Sequence, residues 1–111
     1  MDPYGVLDLT RKLGREPNMD KALHIMMWEL GDLTKSHTYS QWHPDLASSY
    51  KEEAKLALSS LFFQAYVVAA LLDSVPGELL SIGIESVEDR IREKEKKVGR
   101  FEHYVGDKGS E

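Results

Sequence analysis

The 111-residue chain contains no cysteine, which removes disulfide frameworks, thiolate zinc sites and cysteine nucleophiles together. Proline is scarce, with four residues, and Pro17, Pro44 and Pro76 fall where the helical pattern breaks. Basic charge is in deficit: 14 Lys and Arg stand against 19 Asp and Glu, for a net charge of −5. Sequence-independent nucleic-acid binding, which needs clustered Lys and Arg, is therefore not expected. A phosphate-bearing small molecule stays open, because a bound cation reverses the local field. The longest apolar run, Leu61 to Leu72, is interrupted by Gln64 and Tyr66 and falls short of the roughly 20 residues a bilayer requires. No basic-then-apolar leader opens the sequence. The expectation is a cytoplasmic protein with neither membrane nor nucleic acid as a partner.

The composition, 41% hydrophobic and 30% charged, is that of a folded soluble protein. The length suits a single domain spanning 1–111, with a core at about 19–105. A chain this short buries only about two thirds of its unfolded surface, so a partner subunit would add burial.

The patterning is helical throughout, with no strand-type alternation and no internal repeat. Residues 3–13 form a first short helix closed by Gly14. Asn18 caps a second helix from Met19 to about Ser36. In it Met19, Ala22, Leu23, Met26, Leu30 and Leu33 make an apolar stripe at 3.6-residue spacing. Glu29 lies at the edge of that stripe and Asp32 just beyond it, while His24, Gly31 and Lys35 occupy the far side. Residues 37–45 read as a loop stopped by Pro44. A long helix from Leu46 or Ser49 to Leu72 follows, apolar on nearly every side in its second half, which suits a central or subunit-contact position. After a turn at residues 73–77, Glu78 to Ile82 forms a brief helix ended by Gly83. Ser86, with Asp89 three residues on, opens the last helix in capping-box fashion. Its apolar side is Val87, Ile91, Val98 and Phe101, and the tail frays from Gly106. The expected architecture is an all-α, four-helix-type bundle completed by dimerisation or a higher homo-oligomer.

Glu29 and Asp32 carry the most chemistry. Carboxylates at i and i+3 point the same way from a helix, about 5–6 Å apart at Cβ, and such a pair can hold a divalent cation. Counting about 100° per residue, Glu53, Ala57, Ser60 and Gln64 share one face of the long helix.

Glu29-Leu30-Gly31-Asp32-Leu33 resembles the first acidic motif of the MazG-like, all-α nucleoside triphosphate pyrophosphohydrolases. Ala57-Leu58-Ser59-Ser60-Leu61-Phe62-Phe63-Gln64 is similar to their second motif. Ile84-Glu85-Ser86-Val87 and Ile91-Arg92-Glu93-Lys94 resemble the entry into their final helix. The resemblance implies a helical fold, Mg²⁺ (or Mn²⁺) as cofactor, and hydrolysis of a nucleoside triphosphate to the monophosphate and pyrophosphate. It makes Glu29 and Asp32 metal ligands. Two further carboxylates of the second motif are missing here, at Ala57 and Ser60; Gln64 retains only an amide oxygen. Glu53, one turn before Ala57, is then the replacement ligand or the base that orients water. Phosphate contacts fall to Lys94 and Lys97 or, in a shifted register, to Lys96 and Arg100. The alternative is a family member that has lost catalysis and serves as a nucleotide-binding or helical assembly module.

Overall fold

A computed structural model describes residues 5–106, with side chains through Val98. These residues form four α-helices and one 3-10 turn, with no strand among them. The helices are α1 (Val6–Lys12), α2 (Met19–Trp42), α3 (Ala47–Leu71) and α4 (Pro76–Gly106), and the turn is Pro44–Leu46. The all-α class expected from the patterning is observed. The chain divides into two compact units, Met1–Pro76 and Gly77–Glu111.

The first unit is a helical hairpin of α2 and α3 with α1 packed on α3. Asn18 starts α2 as expected: its backbone is extended and its side-chain oxygen accepts the Lys21 backbone N–H at 3.0 Å. Asn18→Ala should lower stability by about 1 kcal/mol, read from the midpoint of urea unfolding. The far end of α2 departs from expectation. Residues 37–42, read as loop, are its last turns, because nothing in that stretch breaks a helix before Pro44. Proline disfavours the α region for the residue before it, and His43 accordingly leaves the helix at φ −130° and ψ 73°.

α2 and α3 run antiparallel in a register that sets Ala22 beside Val67 and Tyr39 beside Tyr50. Val6 of α1 joins Ala22, Val67 and Ala70 in the core, with Leu7, Phe63, Tyr66 and Leu71 packed around them. Gly14, at φ +85°, supplies the left-handed turn after α1, where L side chains are strained. The contact between two helices is narrower than the apolar stripe read on α2. Ala22 is buried and Met26 and Leu33 are half-buried, but Leu23 and Leu30 stay exposed.

The length argument against a membrane also needs correction. The run 61–72 is too short to cross a bilayer, but Pro44–Leu71 is 28 residues with a mean hydropathy of 1.5 over its most apolar window, enough by length and composition.

The second unit is α4. The expected turn is there, with Asp73 at φ 55°, but the short helix and the capped helix expected after it are one continuous helix through Gly83 and Ser86. A helix-interior glycine costs about 1 kcal/mol relative to alanine, whereas restarting a helix incurs the nucleation cost again. Ser86 does not cap; its hydroxyl oxygen accepts from the Arg90 guanidinium at 3.4 Å. An added Cβ at Gly83 meets nothing within 4 Å, so Gly83→Ala should stabilise α4 by up to about 1 kcal/mol, visible as slower amide exchange across residues 80–90. Leu80, Ile84, Val87, Ile91 and Val98 line one side of α4 at helical spacing. The Phe101 side chain lies outside the described residues.

Candidate functional site: a groove on one face of the hairpin

Along α2, residues 29, 32, 36 and 39 advance by threes and fours and so share one side of the helix. Along α3, residues 50, 53, 57 and 60 do the same. These two sides bound a single groove of about 530 Å³, within the size range of small-molecule sites.

The floor is made of small residues. Ser36 and Ala57 are both buried between the helices, and their short side chains leave the space above them open. Glu29 and Asp32 line the groove from α2, and Glu53, Leu56 and Ser60 from α3. Toward the helix connection, Tyr39 and Tyr50 line it with ring centroids 5.8 Å apart in an edge-to-face contact. Trp42 lies 5.5 Å from the Tyr39 ring. The Lys35 ammonium sits 5.7 Å from the Tyr39 ring centroid on its face, a cation–π distance. Three carboxylates thus share the groove with one ammonium, and the local field favours a cation.

The donor set discriminates between kinds of cation site. Among the described residues no three acidic or histidine side chains are close enough together to hold a metal ion. A resident ion caged by protein alone does not fit this groove. Mg²⁺ is commonly held by one or two carboxylates plus the phosphates of its substrate, keeping several waters. Glu29 and Asp32, one helical turn apart on one wall, fit that second arrangement.

Of the residues singled out in the sequence, Glu29, Asp32, Glu53, Ala57 and Ser60 meet in this groove. Gln64 does not; it lines a separate crevice of about 30 Å³ with Asn18, Lys21 and Phe63. Lys94, Lys96 and Lys97 are exposed on α4 in the second unit, and Lys96 pairs with Glu93 at 3.7 Å. The Arg100 side chain lies outside the described residues.

Lys35 corrects the sequence expectation: placed on the far side of α2, it lines the groove instead. It is three residues after Asp32 and four before Tyr39, so it borders the groove side of the helix. Tyr39 was missed because residues 37–45 were read as loop, and Tyr50, inside the expected long helix, was left without the ring it faces. Continuing the spacing from Glu29 and Asp32 through Ser36 would have reached Tyr39.

No protein-family profile matches the chain, and no solved structure matches it. A curated protein described as prenyltransferase iacE, from the fungus Pestalotiopsis fici, is 40% identical over 55 residues. That match covers 43% of this chain and 12% of the prenyltransferase, so the chain spans only a small part of that relative's length.

Proposed function

We propose that the groove binds a nucleoside triphosphate with its Mg²⁺ (or Mn²⁺) and hydrolyses it to the monophosphate and pyrophosphate, as the MazG-like pyrophosphohydrolases do. The observation that carries this reading is the convergence of Glu29, Asp32 and Glu53 on one groove. The first two come from one helix, at positions picked out by the motif resemblance, and the third from its antiparallel neighbour, one turn before the second motif. The finer fold assignment, a bundle of the pyrophosphatase kind, rests on the same resemblance. A cytoplasmic location is part of the same proposal, since such a substrate is a soluble metabolite.

When bound, the cation would supply charge neutralisation at the phosphate oxygens and act as a Lewis acid. The protein's own residues do the rest. Glu29 and Asp32 orient the metal-bearing triphosphate on the α2 wall. The Lys35 ammonium offers donors to non-bridging phosphate oxygens. A Glu53 carboxylate oxygen accepts a proton from the attacking water, whose oxygen bonds to the α-phosphorus as the α–β anhydride bond breaks. Pyrophosphate leaves with the electron pair, so atoms and charge balance. The open groove admits the water.

Pyrophosphate release, measured over a panel of canonical and modified nucleoside triphosphates with Mg²⁺ or Mn²⁺, tests this. Release of pyrophosphate with at least one nucleotide, and none in EDTA, is expected. Failure with every nucleotide and both ions would reject it.

A second reading has its own support. The groove lacks a three-ligand cluster, and Ala57 and Ser60 stand where the motif resemblance expects carboxylates. This favours a module that binds nucleotide without turning it over. Saturable nucleotide binding by calorimetry, with no pyrophosphate formed over hours, is its expected signature.

A further inference from the structure

The groove changes character along its length. Glu29, Asp32 and Glu53 make one part of its lining acidic, and Tyr39 and Tyr50 make the end toward the helix connection aromatic. Asp32 and Tyr39 are seven residues apart, two turns along the same side of α2 and about 10 Å along its axis. Lys35 stands between them and is within reach of either. Its ammonium rests on the Tyr39 ring, 5.7 Å from the centroid. Among the described residues neither Lys35 nor Glu29 nor Asp32 enters an ion pair. The one ammonium of the groove thus covers an aromatic face and leaves the nearby carboxylates free.

We propose that the face of Tyr39 beneath Lys35 is the stacking surface for the nucleobase, and that Lys35 covers it until a triphosphate draws the ammonium away. This rests on reading the groove as a nucleotide site. The exchange is favourable in each part. A cation over an exposed ring is weakly held, whereas an ammonium bound to phosphate oxygen makes a charge-assisted hydrogen bond. Lys35 is exposed, so its stem can swing without disturbing the packing. Tyr39 is half-buried and in contact with Trp42 at 5.5 Å and Tyr50 at 5.8 Å between ring centroids, so the ring stays in place when the ammonium leaves. The face then exposed is flat and apolar, and bases stack on such side chains.

Charge and length fix the direction in which the nucleotide lies. Phosphates need cations, which Tyr39, Tyr50 and Trp42 do not supply and a metal ion at Glu29 and Asp32 does. With that ion on the phosphates, a ribose and the phosphate next to it cross the span to Tyr39. The reverse orientation would set a neutral base among three carboxylates. Because the ammonium cannot be on the ring and on a phosphate at once, the two half-sites are coupled. Phosphate binding favours base binding, and by linkage the converse holds equally.

The test compares Mg²⁺-tripolyphosphate, adenosine, and Mg²⁺ with α,β-methylene adenosine triphosphate, each titrated into the ¹⁵N-labelled full chain and followed by amide shifts. The nucleotide analogue should bind wild type at least about tenfold tighter than tripolyphosphate, the size of one stacked base. Lys35→Met should weaken tripolyphosphate about fivefold or more and strengthen adenosine about twofold to fivefold. Loss of structure would weaken both, so opposite signs report the exchange itself. Tyr39→Leu should bring the analogue close to tripolyphosphate, while Tyr39→Phe, which keeps the ring, should bind as wild type does. Equal affinity of wild type for analogue and tripolyphosphate overturns the stacking surface and leaves the groove a triphosphate site. Adenosine affinity that stays level or falls in Lys35→Met overturns the covering role. Binding of neither phosphate ligand to wild type overturns this inference together with the reading it rests on.

Discussion

Glu29→Ala should abolish metal-dependent pyrophosphate release, lowering the rate on the order of a thousandfold. Charge stabilisation by a bound cation supplies several kcal/mol, and each 1.36 kcal/mol is a factor of ten in rate. Glu29 is half-buried in the groove wall and makes no hydrogen bond or ion pair among the described residues. Removing it therefore takes nothing from the fold except a little packing. Alanine is also the better helix former. The variant should unfold within about 0.5 kcal/mol of wild type, so lost turnover would report on the site alone. Asp32→Asn keeps the shape of the side chain and removes its charge, and should give a loss of similar size. Full activity in either variant would move the chemistry out of this groove.

Ser60→Asp should do the reverse and create a metal site in a groove where, among the described residues, no three acidic or histidine side chains are close enough to hold an ion. Ser60 is half-buried and lines the groove from α3, as Glu29 and Asp32 do from α2. A carboxylate there adds a fourth acidic side chain to the groove beside Glu29, Asp32 and Glu53, and hard-cation affinity is tuned by the number of charged ligands. Without nucleotide, Mn²⁺ should leave the wild-type melting temperature unchanged and raise that of Ser60→Asp. At a free ion concentration of a hundred times the dissociation constant the stabilisation is about 2.7 kcal/mol, several degrees for a domain of this size. EDTA should reverse it completely. The metal-free variant should be the less stable of the two proteins, because four carboxylates then share the groove without a cation where the wild type has three. A Mn²⁺-dependent rise in wild type alone would mean that a protein-only ion site exists elsewhere.

The sequence carried the local signals well and the contacts poorly. Asn18 was legible as a cap because its short side chain and the helical run after it define the same boundary. The i,i+3 spacing of Glu29 and Asp32 put both on one wall, and Glu53, Ala57 and Ser60 fell on one face of α3 by the same arithmetic. What periodicity does not contain is the width of the face a neighbour covers. Leu23 and Leu30 belong to the apolar stripe of α2, yet a single partner helix reaches only Ala22, Met26 and Leu33. Breakers were misweighted as well. Gly83 and Ser86 were given the power to divide α4, whereas an apolar stretch on both sides of a lone glycine carries the helix across it. In the same way His37 to Trp42 looked polar enough for a loop, although only Pro44 enforces a stop. That one boundary hid Tyr39. Lys35 was hidden with it, since it stands one turn before Tyr39 and borders the same side of the helix.

The groove lined by Glu29, Asp32 and Glu53 is the acidic side of the hairpin. The placement of the ligand is tested most directly by titrating the ¹⁵N-labelled protein with a slowly hydrolysed nucleoside triphosphate carrying substoichiometric Mn²⁺. Paramagnetic broadening should appear first at the amides of Glu29, Asp32, Glu53 and Ser60, and be lost in Glu29→Ala. Broadening confined to α4, or spread evenly along the chain, would contradict the assignment of the groove.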